Sequence, residues 1–131
     1  MESQLCARIV VADDNRDAAE ALGVLLKLQG YEIRTAFDGI QAFEVADEFH
    51  PQVVILDIEM PGQDGYAVAR LIRKRAWSQS ACLIALTGAD AMNARSLAAK
   101  AGFDRFVNKP VDPELFVKIV AEGLNSYPDG D

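Results

Sequence analysis

The chain has 131 residues, half of them apolar and a quarter charged, which fits one globular domain able to bury a core without disulfides or metal. Its net charge of -7 works against nucleic-acid binding, where Lys and Arg must neutralise phosphates. No apolar run approaches the ~20 residues of a membrane span, and MESQLCARIV at the start lacks the basic and long apolar regions of a signal peptide, so a cytoplasmic location is expected, with no membrane partner.

The first strand-like run, ARIVVA at 7–12, is continuously apolar from Ile9 to Ala12 and leads into Asp13 and Asp14. A helix follows, with Ala18, Ala21, Leu22, Leu25 and Leu28 at helical spacing and Gly30 where a helix-ending glycine belongs. Asp13 is also a candidate cap for this helix. The run YEIRTA at 31–36 alternates Tyr31, Ile33 and Thr35 with Glu32 and Arg34, the pattern of a half-exposed edge strand. After the turn FDG, Ala42, Phe43, Ala46 and Phe49 form the stripe of a second helix. QVVILD at 52–57 is the third strand; it delivers Asp57 and breaks at MPGQDG.

The third helix carries Val68, Leu71 and Ile72, and its basic run RLIRKRA at 70–76 reads as a solvated outer face. Trp77 is expected over the end of that helix, and His50 in an exposed loop on the sheet edge opposite the acids. CLIALT at 82–87 is a fourth, fully apolar strand ending in Thr87. The fourth helix is weaker: Ala94, Leu97, Ala98 and Ala101, then Gly102. RFVNK at 105–109 is the fifth strand. The fifth helix opens with Asp112 as cap, Pro113 at its first position and Glu114 in its first turn. The tail NSYPDGD reads as a frayed end or the start of a linker from residue 126, beyond a domain at 1–125. Cys6 and Cys82 have no metal spacing and read as small buried hydrophobes at strand starts.

Strict alternation of strands and helices predicts an α/β fold with a parallel sheet covered on both faces. Right-handed crossovers then favour a doubly wound, flavodoxin-like (βα)5 sheet of order 2-1-3-4-5. Ligands of such sheets bind beyond the carboxyl ends of the strands, near the switch in strand order. There the first, third, fourth and fifth strands deliver Asp13 and Asp14, Asp57, Thr87 and Lys109. Three carboxylates repel one another unless a cation joins them, and one lysine cannot balance three. Oxygen-only ligands suit Mg²⁺. A hard cation beside a carboxylate, a hydroxyl and an ammonium is the apparatus for holding a phosphoryl group, with a carboxylate as nucleophile. Asp57, on the central strand, is the natural acceptor.

These residues resemble the CheY-like receiver domain of bacterial response regulators. The resemblance spans about residues 7–124 and rests on Asp13-Asp14, ILDIEMPGQDG, ALTG and FVNKP in order. It implies a phosphorylation-activated switch: Asp57 takes a phosphoryl group from a histidine kinase or histidine phosphotransfer protein, turning over no outside substrate. It further implies that Asp14, Asp57 and the backbone carbonyl of Glu59 bind Mg²⁺, with Asp13 helping through water. Thr87 and Lys109 contact the phosphoryl oxygens, and Thr87 and Phe106 move inward to reshape the face of the fourth helix, fifth strand and fifth helix. The bond before Pro110 is expected to be cis. Phe106 lacks the hydroxyl of the tyrosine often found there, so its switching would be steric; Glu59 and the small Ala89 stand where similar domains vary. The segments VADDNRDAAEALGVLLKLQGYE and KPVDPELF look like receivers of hybrid sensor kinases, and no output domain fits in 131 residues. The alternative is a Mg²⁺-dependent phosphatase of the haloacid dehalogenase type, although its nucleophile follows the first strand in a DxD pair. An inert flavodoxin-like module fits poorly, since flavin phosphate prefers amides to carboxylates.

Overall fold

The computed structural model describes residues 6–60, 64–88 and 92–125, excluding the side chains of 92–94. The tail from 126, residues 61–63 of the MPGQDG turn and Ala89 lie outside the described residues. Five parallel strands, β1 (Arg8–Ala12), β2 (Glu32–Ala36), β3 (Val53–Asp57), β4 (Cys82–Thr87) and β5 (Arg105–Asn108), lie in the order β2-β1-β3-β4-β5. Five helices alternate with them: α1 (Arg16–Lys27), α2 (Gly39–Phe49), α3 (Gly65–Arg73), α4 (Met92–Ala101) and α5 (Pro113–Asn125). The fold is the expected one.

Side-chain alternation along the strands divides the core into two layers. Val10, Ala12, Val54, Leu56, Leu83 and Ala85 face α2, α3 and α4, meeting Ala42, Ala46, Phe49, Val68, Ile72 and Ala98. Ile9, Val11, Val53, Ile55, Ile84, Leu86 and Val107 face the other way, toward Leu26 of α1 and Phe116 and Val120 of α5. β3 and β4 are buried along their whole length, whereas β2 alternates until its last residue, as its sequence pattern indicates.

Several helix details differ from expectation. Asn15, rather than Asp13, caps α1: its side chain accepts from the Ala18 N–H at 3.1 Å. The buried stripe of α1 is Ala19, Gly23 and Leu26, and Leu28 is 77 % exposed, because the strip that meets the sheet lies one residue further along than the leucines suggest. Leu97 of α4 is exposed while Ala98 is buried; a small residue lets α4 approach the sheet closely. Cys6 is exposed and only Cys82 is buried. Gly30 has φ 97°, the left-handed conformation that favours glycine after a helix. The Lys109–Pro110 bond is cis.

The basic run at the end of α3 is more than a solvated face. Arg73 donates to the carbonyls of Gly102 (2.9 Å), Ser78 (2.6 Å) and Ala81 (3.0 Å) and to Asp104 (2.7 Å). It thereby ties the end of α3 to the starts of β4 and β5. Arg75 forms a two-pronged pair with Asp47 at 2.9 and 2.7 Å. Trp77, in the 3-10 turn Ala76–Ser80, donates to the same carboxylate at 3.0 Å and stacks on the exposed ring of His50 at 5.2 Å. Asp47→Ala is therefore expected to lower stability by about 1 kcal/mol and to shift the emission of Trp77, the sole tryptophan. Unchanged emission and an unchanged urea midpoint would contradict this role.

Candidate functional site

The carboxyl ends of the strands collect the polar residues that the sequence singles out. Asp57 ends β3, Asp13 follows β1, Thr87 ends β4 and Lys109 follows β5. Asp13 and Asp57 are each 1 % exposed and Thr87 3 % exposed, whereas Asp14 is exposed. Buried carboxylates at the end of an apolar sheet need partners, and they have them. Lys109 Nζ donates to Asp57 Oδ2 at 2.9 Å and lies 3.5 Å from Asp13 Oδ2. The Glu59 N–H donates to Asp57 Oδ1 and the Asn15 N–H to Asp13 Oδ1, both at 3.0 Å. The Lys109 N–H binds the Thr87 carbonyl at 2.9 Å, which fixes the β5 end against β4.

Charge remains unbalanced. Asp13, Asp14 and Asp57 each bring a carboxylate oxygen within 4.8 Å of the other two, with one ammonium among them. Burial, followed by the nearby Asp57 charge, outweighs the Asn15 N–H and Lys109 and pushes the Asp13 carboxyl up to about 6. Burial opposes the charge on Lys109, but its hydrogen bond to Asp57 and the charges of Asp57 and Asp13 prevail and raise its pKa. A hard divalent cation fits this oxygen-only donor set and would relieve the repulsion.

Two residues position the site through their backbones. The Asn15 backbone holds Asp13; the sequence signal was available, since Asn just before a helical run marks a cap. Gly65 begins α3 against the backbone of Asp57, where a Cβ would lie 2.7 Å from both the Asp57 carbonyl oxygen and the Ile58 Cα. Nothing in a single sequence marks that contact. Glu59 reaches across to the β4 end: a Cβ on Gly88 would meet Glu59 Oε1 at 3.7 Å. Phe106 is not at the rim. It sits within β5 opposite Ala85, half-buried against the layer beneath α4.

A cleft of about 310 Å³ opens beside Asp13 and Lys109 and is walled by Ala18, Leu22, Pro110 and Val111. A larger one, about 690 Å³, lies at the other end of β4 and β5 among Arg73, Cys82, Asp104 and Arg105. Its guanidinium groups are paired with Asp104 and Glu122, and burial pushes the Cys82 thiol up to about 11. The concentration of unbalanced charge is at the acidic rim. Among the described residues no helix is long and apolar enough to cross a membrane.

Comparison with known proteins agrees with this geometry. Residues 9–121 match the model of the response regulator receiver domain. The chain is 30% identical to a DNA-binding response regulator of the LuxR family from Staphylococcus aureus, with a TM-score of 0.82 over 91% of this chain and 99% of that one. It is 25% identical to the receiver domain of a sensor histidine kinase from Pseudomonas aeruginosa, solved with magnesium in its active-site cleft, with a TM-score of 0.84 over 92% and 99%. A chemotaxis response regulator of Vibrio cholerae, 24% identical, shares the fold at a TM-score of 0.87 over 92% and 100%. The phosphatase alternative finds no support: the acid pair at the β1 end is adjacent rather than DxD, and the family match is to receivers. The chain is a member of the response regulator receiver domain family, the signalling domains of two-component systems.

Proposed function

We propose that Asp57 accepts a phosphoryl group from a histidine kinase or histidine phosphotransfer protein, and that the new charge reshapes the face of α4, β5 and α5. One observation carries the reading. Asp57 is a buried carboxylate at the end of the central strand, 2.9 Å from Lys109 and grouped with two further carboxylates. Lysine alone would satisfy a structural aspartate; gathering two more carboxylates around it costs stability through repulsion and points to a task.

In the transfer, an Asp57 oxygen attacks phosphorus. The phosphorus–nitrogen bond of the phosphohistidine breaks, and its electron pair stays on the imidazole, which leaves neutral with the proton on its other nitrogen. Lys109 then exchanges its Asp57 oxygen for a phosphoryl oxygen, and the Thr87 hydroxyl donates to another. Mg²⁺, held by Asp14, Asp57 and the backbone carbonyl of Glu59, with Asp13 acting through water, would supply neutralisation of the charge between acceptor and phosphoryl group. Thr87 and Phe106 lie on the same sheet face, so movement of Thr87 toward the phosphoryl group frees space beside the Phe106 ring. Water later hydrolyses the acyl phosphate, and no outside substrate is turned over. Output or hybrid-kinase domains would read the altered face; receivers from a sensor kinase and from a DNA-binding regulator are both similar to this one. The location is cytoplasmic, where phosphodonor kinases act.

Intact-mass analysis with acetyl phosphate and Mg²⁺ tests the assignment. The wild-type chain should gain one phosphoryl group and Asp57→Asn none. A gain that persists in the variant would move the acceptor elsewhere.

A further inference from the structure

Arg95 lies on α4, and its guanidinium carbon stands 5.5 Å from the centroid of the Phe106 ring. That is within the range at which a cation is attracted to the face of an aromatic ring. The ring is only half-buried, packed on one side against the layer beneath α4. Its neighbour across the ladder is Ala85, a small and fully buried side chain that offers the ring little surface to grip. A phenylalanine also has no hydroxyl to fix its outer position by a hydrogen bond. Arg95 is itself exposed, so keeping its charge over the ring requires no desolvation of the guanidinium.

We propose that Arg95 is a positioning residue that restrains Phe106 in its half-exposed place and thereby sets the threshold of the switch. Inward rotation of the ring gives up the contact with Arg95, so the contact favours the unphosphorylated arrangement. It couples α4 to β5 through a side chain rather than the backbone. A ligand shifts a two-state equilibrium only by its preference for one state, so weakening the restraint raises the inward population before any phosphoryl group arrives. The inference rests on the switch reading of Phe106.

The test places 4-fluorophenylalanine at position 106 and follows its ¹⁹F signal as beryllofluoride is titrated in with Mg²⁺. In the wild-type background the signal should move on saturation. In Arg95→Gln the ligand-free signal should already lie part of the way along that path, and half-saturation should need about 2- to 5-fold less beryllofluoride, the range an exposed cation–π contact allows. Arg95→Lys, which keeps the charge, should fall between the two. If Arg95→Gln matches the wild type in both resting signal and half-saturation, the restraint does not exist. If the wild-type signal does not respond to beryllofluoride at all, the Phe106 switch fails first and the restraint with it.

Discussion

Gly65→Ala is expected to destabilise the domain by about 2–3 kcal/mol and to slow phosphorylation from acetyl phosphate, although it adds only one methyl group at a helix start. Elsewhere such a change helps, since alanine is the better helix former. Here the methyl would stand 2.7 Å from the Asp57 carbonyl oxygen and the Ile58 Cα and 3.2 Å from the Asp57 carbonyl carbon. All three are backbone atoms of the strand end, so no flexible side chain can move aside. The Gly65 N–H also binds the Ile58 carbonyl at 2.8 Å, and Asp64 caps the helix through the Ala67 N–H at 2.8 Å. Relief therefore means lifting α3 or shifting Asp57. Gly23→Ala is the control: its Cβ would meet only the side-chain methyls of Thr35 and Ile33 at 3.4 and 3.5 Å, and its midpoint should stay within about 1 kcal/mol of wild type. Thermal unfolding and the rate of mass gain read both effects. A Gly65→Ala chain with a wild-type midpoint and rate would show that α3 does not seat the acceptor.

That seat was not legible in the sequence, and the reason is general. Period-two and period-3.6 patterns report which residues are buried relative to their own element, so the three apolar strands and the alternating edge strand were readable. Strand order followed from connection rules, and with it the gathering of Asp13, Asp14, Asp57, Thr87 and Lys109 at one rim. What the pattern does not carry is how closely two backbones approach, or which of two adjacent apolar strips a helix buries. Gly65 belongs to the first kind. The displaced stripe of α1, with Leu28 left exposed, belongs to the second. Arg73 shows a third limit: its partners are mostly carbonyl oxygens, which every residue has, so a cationic side chain in a basic run looks solvated until the turns around it are in place.

The acidic rim makes a further prediction, about pH. Without divalent cations the domain should lose stability as pH rises from about 4 to about 7, and Asp13→Asn should remove much of that loss. Asp13 has its carboxyl pushed from 3.8 to about 6, chiefly by burial and then by the charge of Asp57, with the Asn15 N–H and Lys109 opposing. Between those values the folded state holds a proton that the unfolded chain has released, so stability falls with rising pH across that window and stays low above it. A shift of this size corresponds to about 2–3 kcal/mol. Asparagine has a similar shape and can still accept from the Asn15 N–H, but carries no charge to bury. Mg²⁺ should restore stability to the wild type above pH 6 by binding the folded state preferentially, and should stabilise Asp13→Asn less. Urea midpoints measured from pH 4.5 to 7.5, with EDTA and with Mg²⁺, separate these terms. Parallel pH profiles for wild type and Asp13→Asn in EDTA would mean that the buried carboxylate is already compensated by Lys109, and that the rim needs no further cation.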